Sequence, residues 1–138
     1  MNQISVSKDK SKLDIDFIFN FLDTSYWAKG RTKEQVEKSI IHSECYGIYK
    51  GTQQIGFARM ITDQVVYTYL LDVFIHPDFQ GNGYGKLLME YISNDPILTD
   101  IKLWTLRTKD AHSLYEQFGF KALADASKCM EKVTKVSG

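Results

Sequence analysis

Asp72-Val73-Phe74-Ile75-His76-Pro77-Asp78-Phe79-Gln80-Gly81-Asn82-Gly83-Tyr84-Gly85-Lys86 is the stretch on which the reading of this 138-residue chain turns. Its β-branched and aromatic opening reads as the end of a strand, and His76-Pro77 stops that strand. A glycine-rich turn follows, and a helix over Gly83 to Ser93 begins at once. Tyr84, Leu87, Leu88, Tyr91 and Ile92 recur there at i, i+3, i+4, i+7 and i+8. A strand, a glycine turn and a helix start together make an anion site. The first N–H groups of a helix have no intrahelical acceptor, and glycine lets a phosphate approach the backbone closely. The dipole contribution is roughly 0.3–1 kcal/mol, and each charge-assisted amide hydrogen bond to a pyrophosphate adds to it. Two familiar phosphate loops do not fit. GxxxxGK[ST] needs one residue more than Gly81 to Lys86 provides, and a hydroxyl where Leu87 stands. GxGxxG is met at Gly81 and Gly83, but Lys86 takes the third glycine position.

Working outward, Ile4 to Ser7 reads as a short strand. Leu13 to Leu22 reads as a helix, with Leu13, Phe17, Ile18, Phe21 and Leu22 at helical spacing and Asp14 or Ser11 as its cap. A loop from Ser25 to Arg31 carries Tyr26 and Trp27. Thr32-Lys33-Glu34-Gln35 fits a capping box and opens a second helix through Ile41, with Val36, Ile40 and Ile41 on one side. Tyr46 to Tyr49 and Gln54 to Ile61 read as a hairpin, and Val65 to Ile75 as a long strand. Beyond the third helix, Asn94-Asp95-Pro96 is a stop. Ile101 to Leu106 reads as a strand, Asp110 to Phe118 as a helix with Ala111, Leu114, Tyr115 and Phe118 on one stripe, and Gly119 as its terminator. Two short strands are expected near Lys121 to Ala124 and Cys129 to Val133. The order β-α-α-β-β-β-α-β-α-β-β predicts one mixed α/β domain over 1–138.

Hydrophobic residues make up 43% of the chain and charged residues 25%, a globular composition. Lys+Arg and Asp+Glu are 17 each, so the net charge is zero. That argues against a nucleic acid or an anionic membrane held by bulk charge. The longest uncharged apolar stretch, Gln64 to Leu71, is far short of the ~20 residues of a membrane span. Met1 to Ile4 offers no secretory core, and the expected location is the cytoplasm. Cys45 and Cys129 lie far apart without a CxxC, and read as reduced, mostly buried thiols. His42, His76 and His112 lack HExxH spacing, so no metal is expected. The eight Tyr, eight Phe and two Trp can build a core or line a pocket.

Gln80, Gly83 and Gly85 fit Q/R-x-x-G-x-G/A, preceded by V-x-I-x-P and followed by Leu87-Leu88-Met89. About thirty residues on, Ala111-His112-Ser113-Leu114-Tyr115-Glu116-Gln117-Phe118-Gly119-Phe120 fits A-x-x-L-Y-x-x-x-G-F. On these two motifs the chain resembles the GNAT superfamily of N-acetyltransferases over roughly residues 3–135. The resemblance implies a central, mixed, mostly antiparallel sheet of about six to seven strands flanked by four helices, with splayed central strands. It implies acetyl-CoA as co-substrate, no metal, and direct acetyl transfer to an amine without an acyl-enzyme. The acceptor suggested by the aromatic loop is a small, partly apolar amine. Dimers are common in the superfamily. A non-catalytic acyl-CoA sensor is the alternative, motivated by the unclear base and by Thr108, which stands where many relatives carry a cofactor-contacting Asn.

Carried onto this sequence, the resemblance makes Tyr115 the candidate general acid for the leaving thiolate. Gln80, Gly81, Asn82, Gly83, Tyr84, Gly85 and Lys86 become the pyrophosphate loop. Val73, Phe74 and Ile75 become the strand that pairs with the pantetheine arm, and Thr108 and His112 further cofactor contacts. Tyr26, Trp27 and Arg59 are candidates for the acceptor side, Arg59 for a carboxylate. The general base stays open between Asp72, Asp63, Glu44 and a water chain. Alternation along the strand would turn Asp72 away from Val73 unless a bulge re-aims it, and Asp72 also fits a buried carboxylate paired with Arg59 or Arg107.

Overall fold

The computed structural model describes residues 3–134. The expected domain over 1–138 extends past these at both ends, and Met1, Asn2 and residues 135–138 lie outside the described residues. In chain order the elements are β1 (Ile4–Ser7), α1 (Ile15–Thr24), α2 (Lys33–Ile41), β2 (Glu44–Lys50), β3 (Gln53–Thr62), β4 (Tyr67–Ile75), α3 (Tyr84–Ser93), β5 (Leu103–Leu106) and α4 (His112–Glu116). Local chemistry sets most boundaries. Asp14 accepts from Phe17 N at 3.0 Å and caps α1. The Thr32/Gln35 capping box closes in both directions, at 3.1 and 2.8 Å, and starts α2. Asp63 gathers the N–H groups of Val65, Val66 and Tyr67, so Val65 and Val66 stay in the turn and β4 begins later than the hydrophobic run suggests.

The strands form one sheet in the order β1-β2-β3-β4-β5, antiparallel except for the parallel pair β4–β5. Alternate side chains feed two cores. Tyr46, Ile48, Met60 and Leu70 pack with Leu88, Met89 and Ile92 of α3. On the other face, Cys45, Phe57 and Phe74 pack with Ile18 and Leu22 of α1 and Val36 and Ile40 of α2. β4 changes which of its alternate positions face each core, because it carries an extra residue. Phe57 pairs with Phe74 while Arg59 pairs with Leu71, so Asp72 and Val73 together face Ala58. Asp72 takes a φ of 55°, rare for a residue with a side chain. The bulge reverses the alternation. Leu70 belongs to the α3 core, whereas Phe74, four residues on, belongs to the α1/α2 core. The neighbouring strand also leaves β4 early. β5 pairs with it only from Tyr67↔Leu103 to Leu70↔Leu106, so Leu71 to Ile75 have an open edge on that side.

Several expectations are corrected. The sheet has five strands rather than six to seven, because Lys121 to Ala124 and Cys129 to Val133 form none. Asp125 accepts from Ser127 N at 3.0 Å and folds the segment between them into a short 3-10 turn. Their apolar side chains find no face to cover: Leu123, Met130 and Val133 are exposed. α4 is shorter than Asp110 to Phe118, and β5 is shorter than Ile101 to Leu106. Ile41, Leu87 and Tyr91 are exposed at the rims of their helical stripes. Cys45 is buried as expected, but Cys129 is exposed, since the strand that would have covered it is not formed. Among the described residues no helix is long and apolar enough to cross a membrane, and no group of metal-ligating side chains is found.

One polar cluster ties the two ends of this scaffold. Tyr46 on β2 donates to Asp95 Oδ2 at 2.6 Å, Lys8 after β1 pairs with the same oxygen at 2.9 Å, and Ile97 N donates to Oδ1 at 3.1 Å. Burial alone would raise the Asp95 pKa, but Tyr46 and Lys8 outweigh it and hold the carboxyl below its ordinary range. A depressed carboxyl stabilises the fold above its unfolded pKa of about 3.9 and loses that contribution as pH falls through the folded value. Tyr46→Phe removes a hydrogen bond to a charged group and is expected to cost about 1.5–3 kcal/mol at neutral pH in urea denaturation.

Candidate functional site

The open edge of β4 becomes one side of a cleft of about 840 Å³. Leu71, Val73 and Ile75 form its floor. Leu106 to Ala111, with Tyr115, form one wall. Tyr26, Trp27 and Arg31, from the loop after α1, form the other, and Gln80 to Gly85 closes one end. The floor offers backbone N–H and C=O groups that β5 does not take, which is what an extended amide-bearing ligand needs in order to add as a strand.

The loop at that end is built for an anion. Gly81 and Gly83 sit at φ of 83° and 80°, where a side chain would be strained. Gly83 caps α3 without a side chain, and among the described residues no acceptor is found for the backbone N–H groups of residues 81–86. Six amide donors are therefore unspent at a helix start, and a pyrophosphate fits that donor set. Gln80 and Asn82 act from within. Gln80 Nε2 donates to Ile75 O at 2.8 Å, and Asn82 Nδ2 to Phe79 O and Gln80 O at 3.2 and 3.3 Å, holding the loop's shape.

Tyr115 reaches the cleft from α4. Its ring packs on Phe120 at 5.9 Å, edge to face, and the residue is only 8% exposed. Among the described residues its hydroxyl has no hydrogen-bond partner. Burial pushes the phenol up to about 12, with Asp110 and Tyr26 adding to the shift. The tip is thus a neutral donor at physiological pH. Beside it, Thr108 accepts from Ala111 N at 3.0 Å and starts the turn into α4. Thr108 lines both the cleft and an adjoining hollow that also holds His112.

The wall formed by the loop after α1 is aromatic. Phe21 stacks on Phe74 at 3.9 Å, Trp27 meets Tyr26 edge-on at 5.2 Å, and Lys109 lies 5.3 Å over the Tyr26 ring. Behind this wall is the buried carboxylate of the bulge. Trp27 Nε1 donates to Asp72 Oδ1, while Arg31 Nη1 and Arg59 Nε donate to Oδ2, all at 2.9 Å. Arg59 also donates to Ser43 Oγ at 2.9 Å. The Asp72 side chain is 1% exposed.

The structure gathers Val73, Phe74, Ile75, Gln80, Gly81, Gly83, Tyr84, Gly85, Thr108, Tyr115, Tyr26 and Trp27 around one cleft. Asn82, Lys86 and His112 are not among its lining residues. Arg59 is not either. It is buried against Asp72 and cannot meet a ligand's carboxylate there. Asp72 fits the paired structural carboxylate rather than the base, since three donors occupy its two oxygens. Of the other base candidates, Asp63 is spent on backbone N–H groups and Glu44 accepts from Gln64 at 2.8 Å, both away from the lining. A cleft residue without a role in the sequence pattern is Arg31, the last residue of the aromatic loop. Its signal was a guanidinium four residues after an indole in a loop rich in large rings.

Known proteins resemble this chain in sequence and in fold. The sequence model of the Acetyltransferase (GNAT) domain matches residues 42–122. A candidate acetyltransferase of Gibberella zeae is 31% identical over 84% of this chain and 78% of its own length. An uncharacterised N-acetyltransferase of Porphyra purpurea is 38% identical over 67% of this chain, which spans 53% of that relative. Among solved structures, a candidate acetyltransferase of the GNAT family from Xanthomonas campestris pv. campestris superposes with a TM-score of 0.92 at 37% identity, covering 97% of this chain and 95% of that one.

Two outcomes follow from the buried groups. Asp72→Leu leaves Arg59 without its counter-charge in the interior and is expected to destabilise by about 3–5 kcal/mol in chemical denaturation. Asp72→Asn, which still offers an oxygen, should cost less. Tyr115 has a raised pKa, so its contribution is fully present below the unfolded value of about 10 and fades as pH climbs through about 12. Alkaline denaturation of Tyr115→Phe should lack that component between pH 10 and 12.

Proposed function

Since the chain belongs to the GNAT acetyltransferases, we propose that it is an acetyl-CoA-dependent N-acetyltransferase, one domain over 1–138, acting on a primary amine of a small molecule. The observation that carries this reading is the placing of Gly81, Gly83, Tyr84 and Gly85, in a loop of six unspent amides, and of the Tyr115 hydroxyl, unpartnered among the described residues, on the same cleft. The amides of residues 81–86 would hold the pyrophosphate, and the free edge of Val73 to Ile75 would hold the pantetheine amides. When bound, acetyl-CoA supplies an activated thioester. The chain's part is to align it, exclude water with the Phe21, Tyr26 and Trp27 wall, and manage protons.

The proton balance is simple. The neutral amine nitrogen forms a bond to the acetyl carbon, the carbon–sulfur bond breaks, the nitrogen loses a proton and the thiolate gains one. Tyr115, kept neutral by burial, would donate the second proton. The amine's proton would leave to water, because Asp110 is the carboxylate that lines the cleft and it is exposed. That shortage of a built base also sustains the alternative, an acyl-CoA sensor that binds without transfer.

Acetyl-CoA should raise the melting temperature, and Gly83→Val should abolish the rise. No stabilisation at saturating acetyl-CoA would remove the reading. With an accepted amine, Tyr115→Phe is expected to lower kcat by about 10²–10⁴ with the acetyl-CoA KM little changed. Binding without transfer to any amine of a broad panel would favour the sensor.

A further inference from the structure

The cluster behind the aromatic wall is not electrically closed. It holds one carboxylate, Asp72, and two guanidinium groups, Arg31 and Arg59. Arg59 is enclosed, with its side chain 8% exposed and its donors turned to Asp72 and Ser43. Arg31 is the open one. Its side chain is 30% exposed, it lines the cleft, and among the described residues only its Nη1 is engaged in a side-chain hydrogen bond. The Arg31 fork is thus fixed at one nitrogen by a buried carboxylate, while the residue lines the cleft and its remaining N–H groups have no hydrogen-bond partner among the described residues.

Resting on the transferase reading above, we propose that Arg31 is a specificity-determining residue that binds an anionic carboxylate on the acceptor, so that the acceptor is an amine bearing both a carboxylate and an apolar or aromatic group, the chemistry of an amino acid. Three observations support it. A planar guanidinium presents paired donors that match a carboxylate. Lys109, at the Tyr26 ring, adds a second positive charge on the same side, which would repel an acceptor carrying only an ammonium group. Phe21, Tyr26 and Trp27 beside it supply apolar surface. The glycine loop lies apart from this cluster: it packs back on Ile75 through Gln80 and Gly85, three residues along the strand from Asp72, roughly 10 Å. In this arrangement Asp72 is a positioning residue. It ties Trp27 and Arg31 to the bulge, directly beside the free edge of Val73.

The test compares matched probes by NMR in the presence of coenzyme A, following the Trp27 indole N–H and the Arg31 side-chain resonances. 3-Phenylpropionate is expected to bind about tenfold or more tightly than 3-phenylpropan-1-ol, with both signals shifting. Arg31→Gln should erase that preference. Arg31→Lys, which keeps a charge beside Asp72 but lacks the fork, should erase most of it and stands in if the glutamine variant fails to fold. Equal affinity for the two probes, or a preference that survives in both variants, overturns the proposal. In turnover, phenylalanine should exceed phenethylamine in kcat/KM, and Arg31→Lys should raise the KM for phenylalanine without moving that for acetyl-CoA. Acetyl-CoA binding measured separately keeps the two readings apart. A protein that binds acetyl-CoA but shows no carboxylate preference loses only the Arg31 assignment. One that shows the preference but binds no acetyl-CoA loses the transferase reading.

Discussion

One surplus residue in one strand organises this molecule. β3 and β4 run in register until Asp72, where two residues of β4 face a single residue of β3. The backbone turns through a left-handed φ there, a conformation that costs energy for any residue with a Cβ. A buried ion pair and two further hydrogen bonds to the same carboxylate offset it. In return, β4 exchanges its faces. Phe74 reaches the core under α1 and α2, Val73 and Ile75 turn to the α3 side, and the strand parts from β5 just before this point. Cleft, aromatic wall and open strand edge all follow from that single irregularity.

Much of the scaffold was legible because it rests on local rules. The capping box at Thr32, the terminator at Gly119 and the helical stripe from Tyr84 each bind residues within one or two turns of each other, and each stands in the structure. The glycine loop was legible for the same reason, since its chemistry is carried by its own backbone. What the chain could not show in linear order is long-range. The pairing of Asp72 with Arg59 could be named only beside Arg107 as an alternative, and nothing in linear order showed that Arg31 rather than Arg59 would reach the cleft. The bulge at Asp72 could be named as an option but not chosen over plain alternation, because alternation is a rule about one strand and the register belongs to two. The last two strands were misread for a related reason. Lys121 to Ala124 and Cys129 to Val133 carry few strand-favouring residues, with Val133 the one β-branched side chain among them, and they find neither a partner edge nor a buried face.

The electrostatic design separates two tasks. Zero net charge leaves no bulk field to gather anions. At the glycine loop the positive potential comes from amide dipoles, which add nothing to the formal count. Behind the aromatic wall it comes from one arginine more than the buried carboxylate can neutralise. The two anion-seeking places differ in kind, one of backbone and one of side chain, with a largely apolar floor between them. Substitutions can therefore retune the second without disturbing the first.

The Asp72 cluster also bears on how the chain folds. Its partners come from far along the sequence: Trp27 is 45 residues away, Arg31 is 41 and Arg59 is 13. Such contacts close large loops, and their loop-closure entropy must be met before the contact rewards it. The glycine loop is held differently, by bonds that span a few residues, Gln80 to Ile75 and Asn82 to Phe79. The wall that carries Trp27 and Arg31 is thus anchored by long-range contacts to one carboxylate, and the loop by its own neighbours.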